Sequence, residues 1–306
     1  MHDLVIIGGG PGGTAAGVYA ARKLLNTVLI AEEFGGQSTV SDDIQNWIGT
    51  PSISGQKLAE SFKTHLEKYK SDIFKIHIGE KVLSIKKENS TFVVSTGTQS
   101  FQTKSVLIAT GSSRKKLTIP GASEFENKGL TYCASCDGPL FSGQDVAVIG
   151  GGNAAFESAA QLLAYCKTVT MINRSDKFRA DEITVEKVLA NSNVKSLINT
   201  ELVEVKGDKF VSGLAVKNKI SGEVTELPVK GIFVEIGLIP ATNYAEGVVE
   251  MNEIKQIKVD SKTQRTSIDG IWAAGDCTDG LYHQNNIAAG DAVKALEDLY
   301  QWLRRR

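Results

Sequence analysis

A chain of 306 residues, 42% hydrophobic and 23% charged, is long enough to bury a sizeable core and predicts two domains. Its 34 Lys and Arg, spread along the chain, offset 35 Asp and Glu to a formal net charge of -1, which excludes the basic footprint of a nucleic-acid-binding protein. No apolar run approaches the ~18 residues of a membrane helix, and four cysteines are too few for a secreted disulfide scaffold.

The chain opens on DLVIIGGGPGGTAA (3–16), with no basic-then-apolar signal segment ahead of it, and a cytoplasmic location is expected. An apolar, β-branched run, a glycine turn and a helical segment in that order open a dinucleotide-binding βαβ unit. Gly8 permits the tight turn, Gly10 lets the backbone approach a pyrophosphate, and Gly13 lets helix and strand pack closely. The next strand, TVLIAEE, places Glu32 nineteen residues after Gly13, where a carboxylate holds the hydroxyls of an unphosphorylated ribose. That pattern predicts the adenosine of FAD. SVLIATG (105–111) is a further strand, running into the small-residue turn Ala109-Thr110-Gly111 that is expected to complete the flavin site.

RKKLTIPG (114–121) has the proline and polar flank of a crossing between domains. CASCDG (133–138) then places Cys133 and Cys136 three positions apart, open from residue types alone to a metal clip, a structural disulfide or a redox pair. DVAVIGGGNAAFES (145–158) repeats the opening design, with Gly150, Gly152, Asn153 and Ala155 in the turn and first helical positions. Its second strand reaches Asn173-Arg174-Ser175 and then Lys177 and Arg179, where the first copy has its carboxylate. Cations there suit a ribose carrying a 2′-phosphate and predict NADPH over NADH, although a solvated basic loop has the same composition.

IPATN (239–243) is the expected return crossing, and GIWAAGDC (270–277) another strand. Gly275 and Asp276 follow it directly, with Asp276 placed to hydrogen-bond a ribityl hydroxyl or a pyrophosphate-bound water. A helix beginning near Gln284 aims its N-terminal dipole at the flavin's pyrimidine edge. Because these strands come after the second βαβ unit, the first domain is discontinuous. The expected fold is α/β, two Rossmann-like three-layer domains: an FAD domain of 1–112 and 245–306, and an inserted NADPH domain of 113–244 carrying the CxxC.

GGGPGGTAA, FGGQ (34–37), IQNW (44–47), ATGS (109–112), CASCDG, VIGGGNAA, FRADE (178–182) and GIWAAGDC together resemble the low-molecular-weight thioredoxin reductases, in order and spacing and over essentially the whole chain. The flavin-domain halves are also similar to the reductase component of alkyl hydroperoxide reductases, from which this chain departs by starting at the first Rossmann strand. It departs from typical thioredoxin reductases at Ser175, where a second arginine is usual.

The resemblance implies a homodimer, adds Gly36, Gln37 and Asn46 to the cofactor-binding residues, and implies a thioredoxin or thioredoxin-like partner. It also implies that Cys136 lies against the flavin and Cys133 attacks the partner's disulfide, with Asp137 the best-placed proton shuttle. A metal clip would need two more soft ligands, and Cys166 and Cys277 lack a second CxxC spacing. A four-residue loop gives a structural disulfide little chain entropy to remove. No metal is expected. Related alternatives are a flavin-dependent dithiol oxidase, a ferredoxin-linked thioredoxin reductase and a flavin redox sensor. Cys166 is expected as a buried hydrophobe, His283 as a hydrogen-bonding neighbour of the site, and Trp47 and Tyr282 as packing near the cofactor or its supporting shell.

Overall fold

Leu4 and Ile6 face one side of the first strand and Val5 and Ile7 the other, and all four are buried. A strand buried on both faces belongs inside a covered sheet. The computed structural model describes residues 1–41 and 44–306, the side chains of residues 40, 135 and 136 excepted.

Strand β1 (His2–Ile7) leads through the glycine turn into α1 (Pro11–Arg22), followed by β2 (Thr27–Ala31), α2 (Gly55–Glu67) and β3 (Phe74–Ile78). A meander of β4 (Val82–Glu88), β5 (Thr91–Thr96) and β6 (Ser100–Ile108) completes the first pass. The order β3-β2-β1-β6 is parallel throughout, so chain order reverses between β1 and β6. Such a reversal opens a crevice at the carboxyl ends of the two strands. After β7 (Ser112–Arg114) the chain enters a second compact unit, Arg114–Leu238.

That unit runs β8 (Leu130–Thr131), α3 (Ala134–Asp137), β9 (Asp145–Ile149), α4 (Asn153–Leu162), β10 (Thr168–Ile172), α5 (Glu182–Leu189) and β11 (Val194–Leu197). The antiparallel strands β12 (Thr200–Gly207), β13 (Val211–Asn218) and β14 (Val224–Leu227) precede β15 (Gly231–Val234). The parallel sheet has order β11-β10-β9-β15-β8, with its own reversal between β9 and β15. Val146, Val148, Met171 and Phe233 pack on one face with Phe156 and Leu162 of α4. Ala147, Ile149, Ile172 and Val234 pack on the other with Val205, Leu214 and Val216 of the antiparallel strands. Helix, sheet and second sheet make three layers.

The chain returns through β16 (Leu238–Pro240), which pairs with β7 as a two-stranded ribbon, and ends with β17 (Ile271–Ala273) and α6 (Asn285–Arg304). The long β6 serves two neighbours: residues 100–103 pair with β5 and residues 106–108 with β17. Helices α1 and α6 cover the face of Leu4, Leu29, Leu107 and Trp272, each such side chain worth ~1.5–3 kcal/mol when fully buried. The first unit is Met1–Ser113 with Ile239–Arg306. Its second boundary therefore falls between Leu238 and Ile239 and not at 244/245. Residues 239–244 are held in the first unit by Ala241 N–H donating to the Gly111 carbonyl (3.0 Å) and Thr110 Oγ1 donating to the Ala241 carbonyl (2.7 Å). At the end of α6, Arg306 pairs with Asp269 at 2.5 Å and lies 4.1 Å over the Trp302 ring. Among the described residues no helix is long and apolar enough to cross a membrane.

Candidate active site

A cavity of about 780 Å³ opens in the first unit at the reversal between β1 and β6. Gly8 and Gly10 line it from the first turn, Glu32 from the end of β2, Gly36 and Gln37 from the following loop, Ala109, Thr110 and Gly111 from the end of β6, and Gly275 and Asp276 from the turn after β17. Gly8 has φ +124°, and a Cβ there would stand 2.2 Å from the Ala109 carbonyl oxygen, so only glycine fits the turn. Gly13 lies beneath the turn, where its Cβ would be 1.9 Å from the Gly8 carbonyl oxygen. At Gly10 the nearest atom to a Cβ is 3.9 Å away, which leaves the backbone open to a ligand.

Helix α1 starts with Pro11 and has no side-chain cap, whereas α2 is capped by Ser54 Oγ, which accepts from the Lys57 N–H. Uncapped N–H groups at a glycine turn are donors for an anion. Ser112 Oγ lines the same cavity, buried and without a hydrogen-bond partner. A pyrophosphate joined to a hydroxyl-bearing chain satisfies both features, so the donor set fits a flavin dinucleotide.

Sequence reasoning missed several lining residues. Lys81 stands 3.6 Å from Glu32, and Asn285 Oδ1 accepts from Ser38 Oγ at 3.1 Å. Tyr244 hydrogen-bonds Thr110 Oγ1 at 3.1 Å, and burial pushes its phenol far above the ordinary range. No local pattern announces these residues, because each is delivered from a distant segment. Asn46 and Gln284 do not line the cavity; they bond each other at 3.0 Å, Asn46 Nδ2 donating to Gln284 Oε1. Gln284 is the N-cap of α6, as its position near a helix start led us to expect. His283 Nδ1 is 3.5 Å from Asp276 Oδ1, an ionic contact too long for a well-formed hydrogen bond. That carboxylate holds the imidazole above its usual 6.5, against the opposing effect of burial. Tyr282 does not pack near the cavity: it is 75% exposed. Trp47 lies edge-on to Phe62, also away from the lining.

In the second unit the glycine turn repeats the geometry. Gly150 has φ +146° and would carry a Cβ 2.3 Å from the Glu235 carbonyl oxygen, while nothing lies within 4 Å of a Cβ on Gly152. Gly152 is the N-cap of α4, again with no side-chain cap, and Ala155 is fully buried beneath the helix start. Asn153 Oδ1 accepts from the Asp181 N–H at 2.8 Å, and the Arg179 N–H donates to the Gly151 carbonyl at 2.6 Å. The loop after β10 is thereby folded onto the turn, leaving the side chains of Arg174 and Arg179 exposed.

The dithiol segment lies at the end of β8. Cys133 is disulfide-bonded and is the N-cap of α3. Its N–H donates to Thr131 Oγ1 at 3.3 Å, and that hydroxyl donates to the Asp137 carboxylate. Thr131, which sequence reasoning missed, so ties the amide of Cys133 to Asp137; a two-residue strand has no periodicity to betray it. The expected flavin contact of Cys136 falls on a side chain outside the described residues. Cys166 and Cys277 are free and buried. Burial pushes both thiols up to about 11, so neither carries appreciable thiolate near neutral pH.

Two sheets whose parallel strands reverse order at a glycine turn, one turn sharing its unit with a disulfide-bonded CxxC cysteine, define a nucleotide-dependent disulfide oxidoreductase. The chain belongs to the pyridine nucleotide-disulphide oxidoreductase family, which it matches over residues 2–292. The family implies flavin and pyridine nucleotide binding. The chain is 39% identical over 306 residues to the alkyl hydroperoxide reductase F component of Escherichia coli, covering 99% of this chain but only 58% of that protein. It is 35% identical over 305 residues to a thioredoxin reductase of Mycolicibacterium smegmatis, covering 99% of this chain and 97% of that one. The crystal structure of thioredoxin reductase from Streptococcus pyogenes matches with a TM-score of 0.86 and 34% identity, over 100% of this chain and 99% of that chain. The α/β architecture is therefore that of the thioredoxin reductases along the full length described.

Proposed function

We propose that the chain is an NADPH-dependent reductase of the disulfide in thioredoxin or a small thioredoxin-like protein. In this reading FAD occupies the first unit, NADPH the second, and Cys133 and Cys136 form the exchanging pair. The resemblance adds a homodimer, and the expectation from the sequence a cytoplasmic setting. The observation that carries the proposal is the disulfide-bonded Cys133 at the start of α3, in the same unit as the second dinucleotide turn. When bound, FAD supplies a two-electron carrier between a pyridine nucleotide and a disulfide.

The protein's own residues do the rest. The turn at Gly8–Gly10 and the free N–H groups of α1 hold the flavin pyrophosphate, Glu32 the adenosine ribose and Asp276 the ribityl side. Gly150–Gly152 and α4 hold the second pyrophosphate, with Arg174 and Arg179 at its ribose. In the reduced pair, the Cys133 thiolate attacks one sulfur of the partner's disulfide, a mixed disulfide forms, and the partner's other sulfur leaves as thiolate. The Cys136 thiolate then attacks Cys133, re-forming their disulfide and releasing the partner's second thiolate. Two electrons pass to the partner, whose two thiolates take up protons. Asp137 accepts from the Thr131 hydroxyl, which itself accepts from the Cys133 N–H, and this reading gives Asp137 the proton transfer.

The test is anaerobic titration of the FAD-loaded protein with NADPH and with NADH, followed by oxidised thioredoxin. NADPH should bleach the flavin, and thioredoxin should restore its colour with release of two thiols per nucleotide oxidised. Cys133→Ser should still bleach but lose turnover. Bleaching without reduction of thioredoxin or of a glutaredoxin-like protein would refute the reductase assignment.

A further inference from the structure

We propose that Lys219, in the turn between β13 and β14, is a coenzyme-selecting residue that supplies a cation to the 2′-phosphate of NADPH beside Arg174, where Ser175 supplies none. This rests on the NADPH reading above. The ribose-recognition loop starts where β10 ends, at Ile172, the place where dinucleotide folds of this order discriminate the 2′ position. Buried Asn173 fixes the loop, its amide donating to the carbonyls of Ser175 (3.2 Å) and Lys177 (2.8 Å). A second set of bonds brings in a distant segment. The Asn199 N–H donates to the Ser175 carbonyl at 3.0 Å, and the Lys219 N–H donates to the Asn199 carbonyl at 2.7 Å. Lys219 Nζ then donates to the Arg174 carbonyl at 3.4 Å. The main chain of the β13–β14 turn is thus linked to the loop through Asn199, and its lysine head sits against the backbone of the arginine expected to read the phosphate.

The charges around the loop favour that role. Lys219, Arg174, Lys177 and Arg179 bring four positive charges to the loop and its edge, against Asp176 and Asp181 of the loop and Glu201 of β12, whose Oε1 is 3.7 Å from Lys219 Nζ. An ammonium has three donors. The Arg174 carbonyl and Glu201 engage the amine only at 3.4 and 3.7 Å, so it can turn to a phosphate oxygen without breaking a short bond. At about half exposure such a contact is partly screened, and a several-fold effect is expected where a buried pair would give far more.

Calorimetric binding of adenosine 2′,5′-bisphosphate and adenosine 5′-monophosphate to the FAD-loaded full chain tests this, because the two probes differ only in the 2′-phosphate. Lys219→Ala should weaken the bisphosphate by roughly two- to fivefold and leave the monophosphate unchanged. Lys219→Arg should retain the difference, and Glu201→Gln should widen it. If Arg174→Ala narrows the preference while Lys219→Ala leaves it intact, the assignment of Lys219 is wrong and the coenzyme reading stands. Equal binding of both probes by the unaltered protein would overturn the coenzyme reading and the assignment together.

Discussion

Glu235 follows β15 with its carboxyl 14% exposed, accepting from Ser158 Oγ at 2.8 Å and standing 3.6 Å from Arg114. Burial raises its pKa above the usual 4.5, outweighing the Arg114 guanidinium and the Ser158 hydroxyl, which both lower it. A carboxyl whose folded pKa is raised costs the folded state stability once ionised. That cost is absent below the unfolded value and grows as pH rises through the folded one. Glu235→Gln keeps an acceptor for Ser158 and removes the charge. Its melting temperature should exceed that of the parent by a few degrees at pH 7 and converge with it near pH 4. A lower melting temperature at pH 7 would show that the Arg114 pair outweighs the burial. The carboxyl's position was not legible in GIFVEIG, since nothing in an apolar run tells which residue meets a serine 77 positions away. Asp276 was legible, because a carboxylate directly after a strand and before a polar turn has only the carboxyl edge of the sheet to occupy.

At the scale of the element, the second glycine turn separates two demands that a motif merges. Gly150 is required by the protein itself, through φ +146° and a carbonyl 2.3 Å from any Cβ. Gly152 has no such neighbour and an extended backbone (φ -100°, ψ -179°) that any residue adopts. Gly150→Ala should therefore lower the melting temperature markedly. Gly152→Ala should leave it unchanged and weaken NADP⁺ binding by roughly tenfold, because its methyl stands in the path of the pyrophosphate. Melting curves with and without NADP⁺ check both; equal destabilisation by the two variants would show that Gly152 serves packing. The turns themselves were legible because strand, turn and helix are contiguous. Thr131 and Lys219 were not, since a two-residue strand and a hairpin turn acquire their neighbours only when the sheet forms.

At the scale of the whole molecule, each unit has its own cores, its own sheet reversal and its own uncapped helix start, and each should respond to its own ligand. FAD should slow hydrogen exchange around 8–14 and 109–113, and adenosine 2′,5′-bisphosphate around 150–156 and 173–179. Protection of the same unit by both ligands would refute the assignment of one nucleotide to each. By itself the sequence determined the α/β class, two glycine turns between strand and helix, the CxxC spacing of the cysteines and the discontinuity of the first unit. All of these are carried by residues adjacent in the chain or by the order of such segments, so local sterics and periodicity suffice to express them. Tertiary structure alone decided that residues 239–244 belong to the first unit, that Lys81, Tyr244 and Asn285 line its cavity, that Tyr282 faces solvent, and that Lys219 reaches the loop after β10. Those outcomes depend on which distant segments a folded sheet brings within hydrogen-bonding distance, and the chain states that nowhere in its linear order.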